Sequence, residues 1–192
     1  RPFASPVDAI IYELHIRDFT ISPTSGVTNK GKFLGVVEEG TLSVNGDRTG
    51  LDYLKELGVS HVQILPMADF CTVNELKPLE QYNWGYDPQN FNVPEGSYAT
   101  NPYQPEVRIL EMKEMIQGLH DAGIRVIMDV VYNHVYLPKL HALEKTVPGY
   151  YFRKNADGTL SNGTGVGNDT ASERFMMRKY IIDSITYWAK NF

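Results

Sequence analysis

Apolar residues recur at the spacing of a β-strand in some segments of the chain and at that of an α-helix in others. Apolar and polar side chains alternate over residues 10–19, which predicts a first strand. Leucines three residues apart in Gly50–Leu57 predict a helix that Gly58 ends, and the apolar run over residues 59–65 predicts a second strand. The chain therefore begins as strand, helix, strand.

The same order continues in the second half of the chain. Apolar residues over positions 109–119 share one helical face, and Pro105 suits the first turn of that helix because its missing N–H costs nothing there. Branched apolar residues predict a third strand over residues 125–131, buried on both faces, and a last helix is predicted over residues 172–190. Strands that alternate with helices indicate parallel pairing, so the predicted fold class is α/β.

Long connections separate these elements. Residues 22–46 and 67–104 have few apolar anchors, and residues 135–170 are rich in Gly, Asn and Pro. Long connections in compact domains are frequently functional. Ligand sites of α/β folds lie at the carboxyl ends of the strands, so we expect the chemistry of this chain in these segments.

The composition excludes some classes of partner. The chain of 192 residues has 18 Lys or Arg against 23 Asp or Glu, a formal net charge of -5, and no basic block. Nucleic acid is therefore not an expected partner, because its phosphates need a cationic surface. No apolar run approaches the roughly 18 residues of a membrane span, so no membrane is expected. The single cysteine, Cys71, rules out an intrachain disulfide and leaves the compartment open.

Two motifs stand near the carboxyl ends of the predicted strands. Asp129, Asn133 and His134 follow the third strand as Asp-x-x-x-Asn-His, and residues 82–88 read Tyr-Asn-Trp-Gly-Tyr-Asp-Pro. The first motif resembles the third barrel strand of the alpha-amylase family of glycoside hydrolases. The second resembles the mark of the type I pullulanases within that family. Because two motifs occur in the right order, the resemblance is specific.

The resemblance extends from about Ile10 to the end of the chain and implies a partial TIM (β/α)8 barrel. The chain would supply the first three βα units, with a small insert called domain B over residues 135–170. A complete barrel has about eight such units, so residues 1–192 are expected to be an incomplete catalytic barrel. The missing C-terminal part is then an expected partner, because three strands leave edges and an inner face uncovered.

The resemblance also implies a reaction. It is the cleavage of α-1,6-glucosidic bonds with retention in pullulan, limit dextrin or branched maltooligosaccharides, and it requires no cofactor. Retention needs a nucleophile and an acid about 5–5.5 Å apart. In the family, these two groups and a supporting Asp follow strands four, five and seven, so we expect none of them in this chain. The chain alone is therefore expected to be inactive.

By the same resemblance, four residues form a wall of the substrate site. Tyr86 would stack on the sugar at the cleavage point, because its ring offers an apolar face to the C–H surface of the sugar. His134 would hydrogen-bond a hydroxyl of that sugar, and Asp129 would orient a neighbouring cationic side chain. Trp84 either stacks on substrate or supports Tyr86. The plainer alternatives are a core-packing aromatic for Tyr86 and a capping acid for Asp129.

Asn133 is a candidate ligand of a structural calcium, because the equivalent asparagine helps to hold calcium in many alpha-amylases. Calcium takes about six to eight oxygens, and Asp157, Asn168 and Asp169 in the insert offer more of them. No spacing among these residues forms a recognisable calcium loop. The other histidines show no metal spacing and are expected to be structural or exposed: His15, His61, His120 and His141.

Two further hypotheses stay open. An isoamylase or a glycogen-debranching enzyme belongs to the same family and differs in the product it releases. A non-catalytic glucan-binding module built on a piece of barrel belongs to another class, and it would bind maltotriose through Tyr86 and Trp84 without cleaving it.

Overall fold

The structure is a computed structural model that describes residues 5–192. The first four positions of the expected barrel piece, residues 1–192, lie outside the described residues. The chain divides into two compact units. Their segments are, for the first unit, the residues up to Met67, Thr72–Trp84 and Pro94–Asp129, and, for the second unit, Ala68–Cys71, Gly85–Val93 and Val130–Phe192.

The described residues contain the three strands and the crossover helices that the sequence pattern predicts, together with further short elements. In chain order they are β1 (Ile11–Leu14), α1 (Ile16–Thr20), α2 (Gly50–Leu57), β2 (His61–Ile64), β3 (Ala68–Phe70), β4 (Pro88–Pro94), α3 (Pro105–Asp121), β5 (Arg125–Met128), α4 (Ala142–Thr146) and α5 (Phe175–Asn191). Short 3-10 turns occur at Pro6–Asp8, Leu34–Val37 and Gly96–Tyr98. Within residues 5–192, none of the helices combines the length and the apolar character that crossing a membrane requires.

A parallel sheet of three strands lies in the first unit. Its order is β1-β2-β5, and both pairs are parallel, with Ile11 opposite His61 and His61 opposite Arg125. In the chain, α2 connects β1 to β2 and α3 lies between β2 and β5, as crossovers between parallel strands require. The α/β class and the parallel direction of the strands are therefore confirmed.

Local sequence determines where the two crossover helices begin and end. α3 begins at Pro105, and its buried face includes Met112, Met115 and Leu119, none of which exposes any surface. α2 ends at Gly58, whose φ of 73° is a left-handed conformation that glycine adopts without strain. α3 packs against β5, both helices contact the turn at Leu34–Val37, and each helix ends a few residues before the next strand.

The first strand is shorter than the alternation over residues 10–19 predicts. β1 ends at Leu14, and the short helix α1 follows it. His15 caps that helix, because its Nδ1 accepts a hydrogen bond from the Asp18 N–H at 3.3 Å. The prediction of strand beyond Leu14 is therefore wrong, since a single turn of helix is too short to show its own period.

The connection over residues 67–104 contains two strands that the sequence pattern does not predict. β3 and β4 pair as a two-stranded sheet. The sequence of β4, Pro-Gln-Asn-Phe-Asn-Val-Pro, is poor in residues with strand propensity. Its prolines stand at the two ends of the strand, where they are tolerated. Pairing rather than propensity therefore determines this strand.

The remaining boundaries differ from the predicted ones by a few residues. β2 is His61–Ile64 instead of residues 59–65, and β5 ends at Met128 instead of residue 131. The last helix is Phe175–Asn191 instead of residues 172–190. Ends of elements depend on local hydrogen bonds, which periodicity does not report.

Aromatic side chains dominate the core of the second unit. Phe91, Val135 and Phe152 are buried there, and partly buried neighbours pack against them: Tyr132, Leu143, Tyr151, Leu160 and Tyr180. Trp188 anchors α5, because its Nε1 donates to the Phe91 carbonyl at 2.9 Å. The Tyr132 and Ser184 hydroxyls lie 2.6 Å apart and tie the same helix to the segment after β5.

Within the second unit, the expected insert over residues 135–170 contains little regular structure. α4 lies in it, and isolated antiparallel bridges join Lys154 to Leu160 and Phe152 to Thr170. The limits of the insert as a separate domain stay a prediction.

Replacement of Trp188 by alanine is expected to lower the free energy of unfolding by about 3–5 kcal/mol. The side chain is 6% exposed, and its loss also removes the donor that bonds the Phe91 carbonyl. Urea unfolding monitored by circular dichroism measures the change. The matched control is Phe175→Ala on the same helix, 72% exposed, which should change stability by less than about 0.5 kcal/mol. Equal losses in the two variants would contradict the anchoring role of Trp188.

Candidate functional site

The motif of the third strand begins where β5 ends. The Asp129 N–H donates to the Ile64 carbonyl at 3.1 Å, which extends the pairing of β2 with β5 by one residue. The Asp129 side chain is partly exposed. This position, at the carboxyl end of a parallel strand, is where α/β folds place ligand groups. The expected role of Asp129, to orient a neighbouring cation, stays a prediction.

His134, in the second unit, binds the backbone of the motif at residues 82–88, called the aromatic run below. Its Nε2 lies 2.8 Å from the Tyr86 carbonyl oxygen, and its Nδ1 lies 3.2 Å from the Asn133 side-chain oxygen. A carbonyl oxygen only accepts, so the His134 Nε2 carries the proton of that bond. The residue is 7% exposed. The structure thus brings together Tyr86 and His134, which the sequence analysis selected from two separate motifs.

A second hydrogen bond holds the same two segments together. The Tyr136 N–H donates to the Pro88 carbonyl at 3.1 Å. Between Trp84 and Tyr86 the chain turns at Gly85, whose φ of 95° lies in the left-handed region that favours glycine. The backbone around Tyr86 is therefore fixed by contacts to its main chain.

Two of the three aromatic side chains of the motif are those assigned to the substrate site, and both are exposed. Trp84, in the first unit, is 60% exposed, and Tyr86, in the second unit, is 40% exposed. The Tyr86 side chain is not buried, and the choice for Trp84 between stacking on substrate and supporting Tyr86 stays open. Exposed aromatic faces suit stacking on the C–H surface of a sugar. Their contact with substrate stays a prediction, as does the bond from His134 to a sugar hydroxyl.

Asp169 organises the insert, a role that the sequence analysis missed. Its carboxylate accepts hydrogen bonds from the Ser161 hydroxyl at 2.5 Å, from the Gly163 N–H at 2.8 Å, and from the Thr164 N–H and hydroxyl at 2.9 and 2.8 Å. These bonds, first the one from Ser161, hold the pKa of Asp169 well below its usual range. The signal in the sequence is an acid that directly follows a glycine-rich run.

The insert residues proposed as calcium ligands are already used by the loop. The Asp169 oxygens accept the bonds just described, and the Asn168 side chain exchanges two hydrogen bonds with the Val135 backbone at 3.1 and 2.7 Å. Asp157 accepts from the Thr159 N–H and hydroxyl. These donor sets do not fit a calcium site shared with Asn133. The Asn133 side chain itself is exposed.

Acidic side chains that can offer oxygens to a metal lie close together in the first unit. Glu75 and Glu95 each place a carboxylate oxygen within 4.8 Å of the other. Arg108 faces this pair, because its two terminal nitrogens donate to the Glu75 oxygens at 2.9 and 2.6 Å. The arginine already balances one of the two negative charges.

The remaining histidines are structural or exposed, as expected. His15 and His61 are buried, His141 caps α4 through the Leu143 N–H at 3.2 Å, and His120 is exposed. Sequence reasoning left His15 without a role, although a histidine immediately before a helical turn is a signal of a cap.

Parallel strands joined by helices, with aromatic and polar groups after their carboxyl ends, define this chain as part of an α/β barrel of the glycoside hydrolase type. The sequence matches the family model "Alpha amylase, catalytic domain" over residues 19–152. The chain belongs to the alpha-amylase family.

Similar proteins include pullulanases and an isoamylase. The chain is 56% identical to the pullulanase of Bacillus subtilis strain 168 over 192 residues, and it spans 27% of that protein's length. The crystal structure of pullulanase from Paenibacillus barengoltzii in complex with maltohexaose and α-cyclodextrin matches 100% of this chain and 30% of that one, with 59% identity and a TM-score of 0.97. Chloroplastic isoamylase 3 of Oryza sativa subsp. japonica is 30% identical over 100% of this chain and 25% of that protein.

Replacement of Asp169 by asparagine is expected to destabilise the second unit by about 2 kcal/mol at pH 7, because hydrogen bonds to a charged acceptor are lost. The folded-state pKa of Asp169 is lowered, so its contribution is complete above the unfolded pKa of about 3.9 and fades as the pH falls below it. The difference in melting temperature between the variant and the wild type should therefore be full at pH 7 and should begin to narrow as the pH falls below about 4, because the unfolded state then takes up the proton first.

The matched control for this prediction is Asp157→Asn in the same insert. The Asp157 carboxylate accepts from the N–H and hydroxyl of Thr159, so its replacement should lower the melting temperature less. Addition of calcium tests the other possible role of Asp169. A rise in the wild-type melting temperature with calcium that Asp169→Asn abolishes would show that Asp169 is a calcium ligand rather than a loop anchor.

Proposed function

We propose that this chain is part of a pullulanase-like debranching enzyme that cleaves α-1,6-glucosidic bonds with retention. The observation that carries the proposal is the hydrogen bond from His134 Nε2 to the Tyr86 carbonyl, because it brings together the motifs of the family and of the pullulanases. The proposed substrates are pullulan, limit dextrin and branched maltooligosaccharides. The crystallised relative that binds maltohexaose supports this class of ligand.

In this proposal, Tyr86 stacks on the sugar at the cleavage point. A phenol ring offers an apolar face to the C–H surface of the sugar. The His134 ring supports the Tyr86 backbone through Nε2, and in this proposal its Nδ1 bonds a sugar hydroxyl in place of its contact with the Asn133 side chain. Trp84 adds a second aromatic face, and Asp129 orients a cationic side chain beside the site.

The bond-breaking step is assigned to no acid of this chain. Retention needs two carboxyl groups about 5–5.5 Å apart on either side of the bond, and the proposal places them in the rest of the barrel. That part of the barrel is the proposed partner of the sheet described here. The 192 residues then contribute to substrate binding, and the whole protein contributes the reaction.

The proposed reaction requires no cofactor. We also keep Asn133 as a proposed ligand of a structural calcium, for which its side-chain oxygen would have to exchange the contact with His134 for the ion. The engaged carboxylates of the insert do not support this assignment. The calcium titration that tests Asp169 also tests this assignment: a wild-type melting temperature that calcium leaves unchanged would remove it.

A pullulan assay of the full-length protein and of the isolated 192-residue chain tests the proposed function. The full-length protein is expected to release maltotriose, and the isolated chain is expected to release none, because the reacting carboxylates are assigned elsewhere. Product analysis by anion-exchange chromatography checks both. Maltotriose released by the isolated chain would refute that assignment.

The isoamylase hypothesis is kept because the chain is also related to a plant isoamylase. Release of long linear chains from glycogen by the full-length protein, with pullulan untouched, would favour it over the pullulanase. Saturable binding of maltotriose by the full-length protein without any cleavage would favour the non-catalytic binding module.

Replacement of Tyr86 by alanine in the full-length protein is expected to lower kcat/KM for pullulan by about tenfold or more, because the stacking surface is lost. Tyr86→Phe keeps the ring face and should retain most of the activity. Initial rates at several pullulan concentrations give kcat/KM. The control is Tyr103→Ala, an aromatic that is 76% exposed outside both motifs and whose replacement should leave kcat/KM unchanged. Equal values for wild type and Tyr86→Ala would remove Tyr86 from the site.

A further inference from the structure

His15 lies between β1 and α1 in the first unit, and both of its ring nitrogens are engaged. Nδ1 accepts from the Asp18 N–H at 3.3 Å. Nε2 lies 3.0 Å from the Asn83 carbonyl oxygen and 2.9 Å from the Tyr98 hydroxyl. Because Nδ1 is an acceptor, the proton of the neutral ring is on Nε2, and that N–H is shared between the Asn83 carbonyl and the Tyr98 hydroxyl, which both accept from it.

The surroundings of His15 keep the ring neutral. Burial lowers its pKa, and the opposing effect of the nearby Asp18 carboxylate is smaller. The charged or titratable groups that face the ring are Asp18 and Arg17 on α1, Tyr82 on the aromatic run and Tyr98 after β4. The neutral ring carries one proton. Only the tautomer with that proton on Nε2 allows Nδ1 to accept from the Asp18 N–H while Nε2 donates to the Asn83 carbonyl.

The backbone that His15 binds belongs to the segment that ends at Trp84. Tyr82 also contacts α1, because its hydroxyl donates to the Asp18 carboxylate at 2.7 Å and its ring centroid lies 5.3 Å from the Arg17 guanidinium carbon. Partial burial and the bond to Asp18 raise the pKa of Tyr82 to about 12, so this donor keeps its proton. The Asn83 side chain donates to the Thr72 hydroxyl at 2.6 Å.

These contacts fix residues 82 and 83 and leave the next side chain exposed. Trp84 is 60% exposed and projects from a backbone whose preceding carbonyl is bound by a buried imidazole. An exposed ring on a fixed backbone binds a ligand with a smaller entropic cost than a ring on a free loop.

We propose that His15 is a positioning residue for α-glucan binding, which acts by holding the Asn83 carbonyl and thereby the Trp84 ring in its binding position. The inference rests on the proposed function, because it takes the aromatic run as part of the glucan site. His15 itself touches no sugar. It acts on affinity, and the chemical step is left unchanged.

Two substitutions separate the two bonds of the ring. In His15→Asn, the side-chain oxygen replaces Nδ1 as the cap of α1, and asparagine is among the best capping residues. The donor to Asn83 is lost in that variant. In His15→Gln, the longer amide reaches the place of Nε2 and donates to the Asn83 carbonyl, while the cap is weakened.

The full-length protein, assayed with pullulan, should respond to these variants in opposite ways. His15→Asn is expected to raise KM about threefold to tenfold, the worth of one lost hydrogen bond, with kcat within about twofold of wild type. His15→Gln is expected to keep the wild-type KM and to lose melting temperature instead. A purely structural role predicts the reverse: a lower melting temperature or a smaller active fraction in both variants, at an unchanged KM.

Trp84→Ala distinguishes failure of this inference from failure of the proposed function. An increase in KM for Trp84→Ala together with an unchanged KM for His15→Asn overturns the role of His15 and leaves the glucan site standing. Unchanged KM values in both variants overturn the role of His15 and remove Trp84 from the site as well. An increase in both, with KM restored in His15→Gln, is the expected result.

Discussion

A buried histidine donates its Nε2 proton to a backbone carbonyl of the aromatic run in each of the two units. His15 bonds the Asn83 carbonyl at 3.0 Å, and His134 bonds the Tyr86 carbonyl at 2.8 Å. A carbonyl oxygen can only accept, so each bond depends on which ring nitrogen carries the proton. For His15, the Asp18 N–H decides that question by occupying the other nitrogen. In each unit, the backbone of residues 82–88 is therefore held by one histidine in the tautomer that has its proton on Nε2.

Both bonds end on main-chain atoms, although the His15 ring also contacts the Tyr82 ring, with the two centroids 5.4 Å apart. The exposed faces of Trp84 and Tyr86 remain on a backbone that is already ordered. The insert repeats this arrangement, since the Asp169 carboxylate collects the N–H groups of Gly163 and Thr164. In each case a buried polar side chain forms hydrogen bonds with the backbone of a loop. These bonds satisfy backbone groups that would otherwise need a neighbouring strand or helix.

The sequence predicts the parts of the fold that have a period and the parts of the site that form a motif. The parallel strands and crossover helices follow from apolar spacing, and Tyr86 and His134 follow from the resemblance. Periodicity fails where one tertiary contact decides the local structure. The cap by His15 ends β1 early, and pairing forms β4 from residues of low strand propensity. The role of Asp169 depends on donors that become neighbours only after the loop has folded.

The ion pair between Arg108 and Glu75 affects how the length of the segment after Glu75 can vary in evolution. The ion pair fixes the chain at Glu75, and the hydrogen bond from the Asn83 side chain to Thr72 fixes it again at Asn83. The segment between these two contacts, residues 76–82, exposes large side chains, with Leu76 52% and Leu79 67% exposed. Exposed stretches tied at both sides accept insertions and deletions readily. This stretch is thus free to diverge in length among related chains while the rings beyond it keep their place.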